Sequence, residues 1–124
     1  MSVHTRSQKL AQAAFPAIQD RQKNLQEKKL REYTTFAKKF PALIHTCGLA
    51  QAVAFALAKQ ETGYIEDLAA VLKATGHPEV SSAQALQKQT QEQPLSGYLR
   101  LSRDAISAAG WLKRYVEAAV GEGE

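Results

Sequence analysis

Between Lys38 and Gln60 the chain reads KKFPALIHTCGLAQAVAFALAKQ. Two lysines lead into a proline, and from Leu49 to Ala58 only Gln51 is strongly polar. A helix that is apolar all round in a water-soluble chain is surrounded by protein. The stretch therefore predicts a helix over about 49–60 that is either central to the core, or a core helix with one face kept for a partner. Its alternate alanines, at 50, 52, 54, 56 and 58, allow neighbouring helices to approach closely. Lys59 at its end complements the helix dipole.

Upstream, Leu30, Tyr33, Phe36, Ala37, Phe40, Leu43, Ile44 and Cys47 recur every three or four residues. That register predicts one helix over 25–47, bent at Pro41 and stopped by Gly48, which tolerates positive φ. Lys28, Lys29, Arg31, Glu32, Lys38 and Lys39 occupy its other face. Earlier still, Leu10, Ala13, Ala14, Ala17 and Ile18 predict a helix over 5–20. Pro16 should kink or restart it, since proline lacks the N–H and clashes with the preceding turn. DRQKN (20–24) interrupts the stripe and reads as a connection.

Downstream, Ile65, Leu68, Ala69, Val71 and Leu72 predict a helix over 62–75, with Thr62 as its N-cap. TGHPEVSS (75–82) reads as a loop, with Ser81 or Ser82 capping a short helix over 82–90. Tyr98, Leu101, Ala105, Ala108, Leu112, Tyr115 and Ala119 predict a long helix from 95 or 96 to about 120. Gly110 lies inside it, as expected for close packing against Trp111 or another helix. GEGE (121–124) reads as a frayed tail. The expected fold is all-α: a single-domain bundle of five or six helices over residues 1–124.

The chain's 124 residues suffice for one buried core. The longest apolar run is about ten residues, against the ~20 needed to cross a bilayer. No apolar segment near the start resembles a secretory leader, and the lone Cys47 excludes an internal disulfide or a multi-cysteine metal site. A cytoplasmic protein with no membrane association is the expectation. Neither a metal nor a nucleotide cofactor is expected.

Catalytic patterns are lacking. His45 and Cys47 are two residues apart, so on a helix they point in nearly opposite directions, about 200° around the axis. Cys47 continues the apolar stripe and reads as packing. His4 falls near the N-terminus, and His77 lies in the predicted loop with only Glu79 close in sequence. Glu66 and Asp67 are adjacent and diverge on a helix, so they read as helix-start charges. No phosphate-binding glycine loop, HExxH or CxxC is present. No catalytic or metal-binding residue is assigned, and the chain is not expected to be an enzyme.

Charge is unevenly spread. The formal net charge is +4, yet residues 1–39 carry nine Lys/Arg against Asp20, Glu27 and Glu32. Such asymmetry fits a face turned toward a polyanion, and it equally fits a solvated lysine-rich face. Phosphate-backbone binding requires cations spaced along a surface and no base-reading motif. Lys38, Lys39, Lys59, Arg100, Arg103, Lys113 and Arg114 are the candidate RNA-binding residues, in KKF, at the end of the apolar helix, in RLSR and in WLKR.

KKFPALIHTCGLAQAVAFALAK and WLKRYVEAA, in this order and separation, resemble the small-subunit family of type III-B CRISPR Cmr complexes. Phe40 stands where that family often has leucine, and HTCGL replaces a more usual polar–asparagine–glycine–leucine turn. The resemblance implies a non-catalytic, all-helical subunit of an RNA-guided effector. It implies stacking with further copies of itself beside the other Cmr subunits, along the groove that receives target RNA, with cleavage left to other subunits. A standalone helical adaptor that binds protein through an apolar groove is the alternative.

Overall fold

The computed structural model describes residues 3–120, the side chain of residue 120 excepted. The tail 121–124 lies outside the described residues. Six helices follow one another: α1 (Arg6–Asn24), α2 (Glu27–Cys47), α3 (Leu49–Ala58), α4 (Thr62–Ala74), α5 (Ala83–Glu92) and α6 (Leu95–Val120). There is no strand among the described residues. The all-α bundle expected from the apolar periodicity is the fold observed.

α1 opens on a reciprocal cap: the Thr5 hydroxyl accepts from the Gln8 N–H at 3.0 Å, and the Gln8 side chain accepts from the Thr5 N–H at 2.7 Å. Two of the donors that a helix start leaves unpaired are thereby satisfied. The helix neither restarts at Pro16, which is exposed, nor ends at Asp20. The predicted connection at 20–24 is its last turn. Arg21 breaks the apolar stripe because it points inward, to a carboxylate on α4. Nε donates to Asp67 Oδ2 at 2.9 Å and Nη2 to Asp67 Oδ1 at 3.2 Å and to the Gly63 carbonyl at 3.1 Å. A Cβ on Gly63 would come within 3.3 Å of that guanidinium, so the glycine leaves it room.

α2 runs through Pro41 without a break. Gly48 ends it with φ +86° and, in the same residue, begins α3. Tyr98 of α6 reaches this junction, its hydroxyl accepting from the Ala50 N–H at 3.0 Å and so capping α3 from another helix. Thr62 is the first residue of α4, not its cap; Glu61 holds the cap position and makes no side-chain capping bond. Ser82 caps α5 as expected, accepting from the Ala85 N–H at 3.1 Å.

α6 packs along α2 and α1, and α1 also packs on α4. Leu10, Ala14 and Ile18 of α1 meet Leu101, Ala105, Ala108 and Leu112 of α6 in one continuous core. Its aromatic centre is Tyr64, wholly buried, with ring centroids at 5.1 Å from Phe40, 5.6 Å from Phe36 and 5.8 Å from Tyr33. α3 is a core helix with one face left exposed. Leu49, Ala52, Val53 and Ala56 are buried, while Gln51, Ala54, Phe55 and Ala58 face outward. Phe55 is 38 % exposed.

Phe40→Ala should therefore cost about 3–5 kcal/mol, the range for a truncated buried phenylalanine. Tyr64→Phe removes only a buried hydroxyl that has no hydrogen-bond partner among the described residues, and should cost little. Phe55→Ala should fall near ~1 kcal/mol. Urea denaturation followed by circular dichroism ranks the three; an equal loss for Phe40 and Phe55 would contradict the exposed α3 face.

Candidate nucleic-acid interface

The apolar helix places two of the candidate cations. Phe36 of α2 and Phe55 of α3 stack at 6.4 Å with their planes 16° apart. Lys39 Nζ lies 5.6 Å from the Phe36 ring centroid and Lys59 Nζ 5.6 Å from that of Phe55. Two lysines from separate helices are thus held around one aromatic pair, and neither makes an ion pair among the described residues. A cation over an aromatic face gains up to about 1 kcal/mol at an exposed site while keeping its ammonium open to a further anion. The exposed half of α2 continues this surface with Lys28, Lys29 and Arg31. Lys29 pairs with Glu32 and Arg31 with Glu27, both on the water-facing side, where such pairs contribute little. Glu61 closes the edge. Burial, then the Glu32 charge, pushes its carboxyl above the ordinary range, with Lys29 and Lys39 opposing.

The other candidates form separate groups. Lys38 is half-buried, not fully exposed as its place on α2 suggested. Arg114 borders a groove between α1 and α6, with Lys113 half-buried beside it. Arg100 and Arg103 sit toward the other end of α6, Arg100 in a small polar cleft with Gly76, His77, Glu79 and Gln93, and Arg103 3.7 Å from Asp104. Seven cations read as one set from the sequence are three groups in space.

Two buried networks were not legible. Asp67 is no helix-start charge: besides Arg21 it accepts from the Tyr33 hydroxyl at 2.5 Å, tying α1, α2 and α4 together. Burial foremost, then the Asp67 charge and hydrogen bond, drives the Tyr33 phenol well above its usual range. His77, expected in an open loop, is buried. Its Nε2 is 2.6 Å from Asp104 Oδ2 and its Nδ1 3.5 Å from Glu79 Oε2, while Arg6 pairs with the other Asp104 oxygen. Burial alone would push the Asp104 carboxyl up. The hydrogen bonds to His77 and Arg6 outweigh it and hold the carboxyl below its ordinary value. The available signal was positional: Arg6 and Asp104 fall on the buried stripes of α1 and α6, four residues before Leu10 and three after Leu101.

His45 is exposed, and the half-buried Cys47 thiol bonds the Leu43 carbonyl at 3.3 Å. No group of three metal-ligating side chains occurs among the described residues. No helix among them is long and apolar enough to cross a membrane.

The family model for CRISPR-associated protein (Cas_Cmr5) matches residues 6–119. The chain belongs to the Cmr5 family. The CRISPR system Cmr subunit Cmr5 of Thermus thermophilus is 33 % identical over 123 residues, spanning 97 % of this chain and all of the relative. The X-ray structure of a CRISPR-associated Cmr5 family protein from Thermus thermophilus superposes with a TM-score of 0.78 at 35 % identity. That match covers 93 % of this chain and 97 % of the other. The small-subunit resemblance carried by KKFPALIHTCGLAQAVAFALAK and WLKRYVEAA is thereby established, and the chain is a Cmr subunit by family.

In this Cmr5 chain Asp104→Asn should lower stability by about 3 kcal/mol near neutral pH, because it leaves Arg6 and His77 without their shared anion. Asp104 has a depressed folded-state pKa, so its contribution is fully present above the unfolded value, about pH 4, and is lost as pH falls through the lower folded value. The gap between wild type and variant, read by urea denaturation at several pH values, should be flat above about pH 4 and narrow below it.

Proposed function

We propose that this chain is a non-catalytic small subunit of a type III-B Cmr ribonucleoprotein effector. In that reading it stacks with further copies of itself, beside the other Cmr subunits, along the guide RNA–target RNA groove. There it supports target binding and complex integrity in antiviral defence, in the cytoplasm. The observation that carries the RNA part is the Lys39–Phe36–Phe55–Lys59 arrangement, which holds two cations open to phosphate on one rigid surface. Lys38, adjacent to Lys39 on α2, adds a phosphate contact, as do Arg100, Arg103, Lys113 and Arg114 at the two other basic groups. Contacts of this kind follow the backbone and read no bases. One copy offers few of them and binds weakly; stacked copies act together, because each bound copy raises the effective concentration of the next.

An adaptor that binds protein alone has one observation in its favour: Phe55, Leu95 and Leu99 are large apolar side chains left exposed. Salt dependence separates the two readings. Replacing Lys38, Lys39, Lys113 and Arg114 with alanine should leave the helical spectrum unchanged and weaken target RNA binding by the assembled complex. The slope of log K against log salt should fall by about 0.7–0.9 for each phosphate that the variant no longer neutralises. An unchanged slope with intact assembly favours the adaptor.

The non-catalytic reading has its own test. His45→Ala with Cys47→Ala should leave target RNA cleavage by the assembled complex at the wild-type rate. A hundredfold loss with assembly intact would place chemistry in this subunit.

A further inference from the structure

A concavity lies between α1 and α6, apart from the Lys39–Lys59 surface. It encloses about 630 Å³ and is lined by Arg6, Ser7, Leu10, Ser107, Gly110, Trp111 and Arg114. Among the described residues its walls contain two guanidinium groups and no carboxylate. Arg114 makes no ion pair among the described residues, and the Arg6 side chain stays half-exposed beside Asp104.

Gly110 gives the groove its meaning. A glycine inside a helix destabilises it relative to alanine. Close packing against another helix is not the reason among the described residues: beyond its chain neighbours and its own helix backbone, a Cβ built at Gly110 meets nothing within 4 Å. The bare backbone instead floors an open space next to Trp111. From Trp111 an aromatic row leads outward. Its ring lies 5.6 Å from that of Tyr115, and Tyr115 lies 5.2 Å from Phe15, which is 47 % exposed.

We propose that this groove takes one unpaired nucleobase of single-stranded RNA, lying against Trp111 over Gly110, with its flanking phosphates at Arg114 and Arg6. The inference rests on the RNA-binding reading above and deepens it, since it adds a base contact to what is otherwise backbone binding. An aromatic platform flanked by cations is the general composition of sites for single-stranded nucleic acid, and is tolerant of sequence because every base has a π-face. Size favours a nucleotide over a protein segment. Ser107 to Arg114 spans about two helical turns, roughly 10 Å, shorter than an ordinary helix but matched to one nucleoside. The volume also falls within the range of small-molecule sites.

Trp111 is the chain's single tryptophan, so its emission reports this groove directly. The full chain is titrated at low salt with a 12-nucleotide oligoadenylate, a 12-base-pair RNA duplex and inorganic polyphosphate, with binding followed independently by sedimentation. The single strand should quench Trp111; the duplex and polyphosphate should bind without quenching. Gly110→Leu, which fills the groove, should remove the quenching and weaken single-strand binding roughly tenfold, leaving duplex binding unchanged. Gly110→Ala should raise Tm by about 2–5 °C while reducing quenching, which shows that the loss is not misfolding. Equal quenching by all three ligands, or single-strand binding with unchanged emission, overturns the base slot and leaves backbone binding standing. Absence of binding to every ligand overturns both. A blue shift that grows with protein concentration without RNA assigns the groove to a second copy of the chain, and also overturns the slot.

Discussion

The basic surface of α2 and α3 depends on the ring of Tyr64. That ring is buried on all sides and meets Tyr33, Phe36 and Phe40 along one stripe of α2. Buried aromatic rings carry large apolar areas, and tilted or edge-on pairs add to that burial. Phe36 then has two neighbours, Tyr64 inside and Phe55 outside. Through this column the position of α4 in the core sets where α3 can place its one large exposed ring. The two lysines follow, each lying over a member of the stack. This surface is thus anchored by rigid rings rather than by charge pairs, and Lys39 and Lys59 stay open to outside anions.

Helix order was legible because apolar periodicity reports which side of each helix meets its neighbours. The α2 stripe from Leu30 to Cys47 needed no knowledge of partners, nor did the glycine stop at 48. The errors share a cause. DRQKN looked like a connection because Arg21 is polar, and a stripe count treats polar side chains as outward. Its partner Asp67 is 46 positions away, and no local pattern announces such a pair. Asp104 and His77 were hidden in the same way. The apolar run 49–58 left open whether α3 is enclosed all round; α3 packs mainly on α2, α4 and α5, and its remaining side carries Gln51, Ala54, Phe55 and Ala58.

The candidate site was legible as chemistry and not as geometry. Phosphate binding requires charge without a fixed constellation, so the lysine and arginine clusters could be named while their grouping could not. Grouping depends on helix phase and on which helices touch. Lys39 and Lys59 share one aromatic pair because α2 and α3 are joined by a single residue at Gly48 and fold back on one another. Lys113 and Arg114 lie instead at the far end of a long helix from Arg100 and Arg103. Gly110 was visible as an oddity in that helix, but only the space above it shows that no other described helix packs there.

The charge asymmetry of the sequence overstates what the folded chain offers a partner. α1 is clamped near both ends by arginines that turn inward, Arg6 to Asp104 on α6 and Arg21 to Asp67 on α4. A buried carboxylate gains from such a cation chiefly by avoiding an unpaired charge in a low-dielectric interior. Arg21 therefore works largely inside the molecule, while Arg6, half-exposed, keeps an outward side at the α1–α6 groove. Lys29 and Arg31 are shared with glutamates, which an arriving phosphate must displace, at little cost because the pairs are exposed. Among the proposed RNA-contacting residues, Lys39, Lys59, Arg100, Lys113 and Arg114 make no ion pair among the described residues. So few contacts give a single copy little affinity and a shallow salt dependence. On the proposed reading, a single copy binds RNA detectably only at low salt, and tight binding of target RNA calls for several copies held in a row.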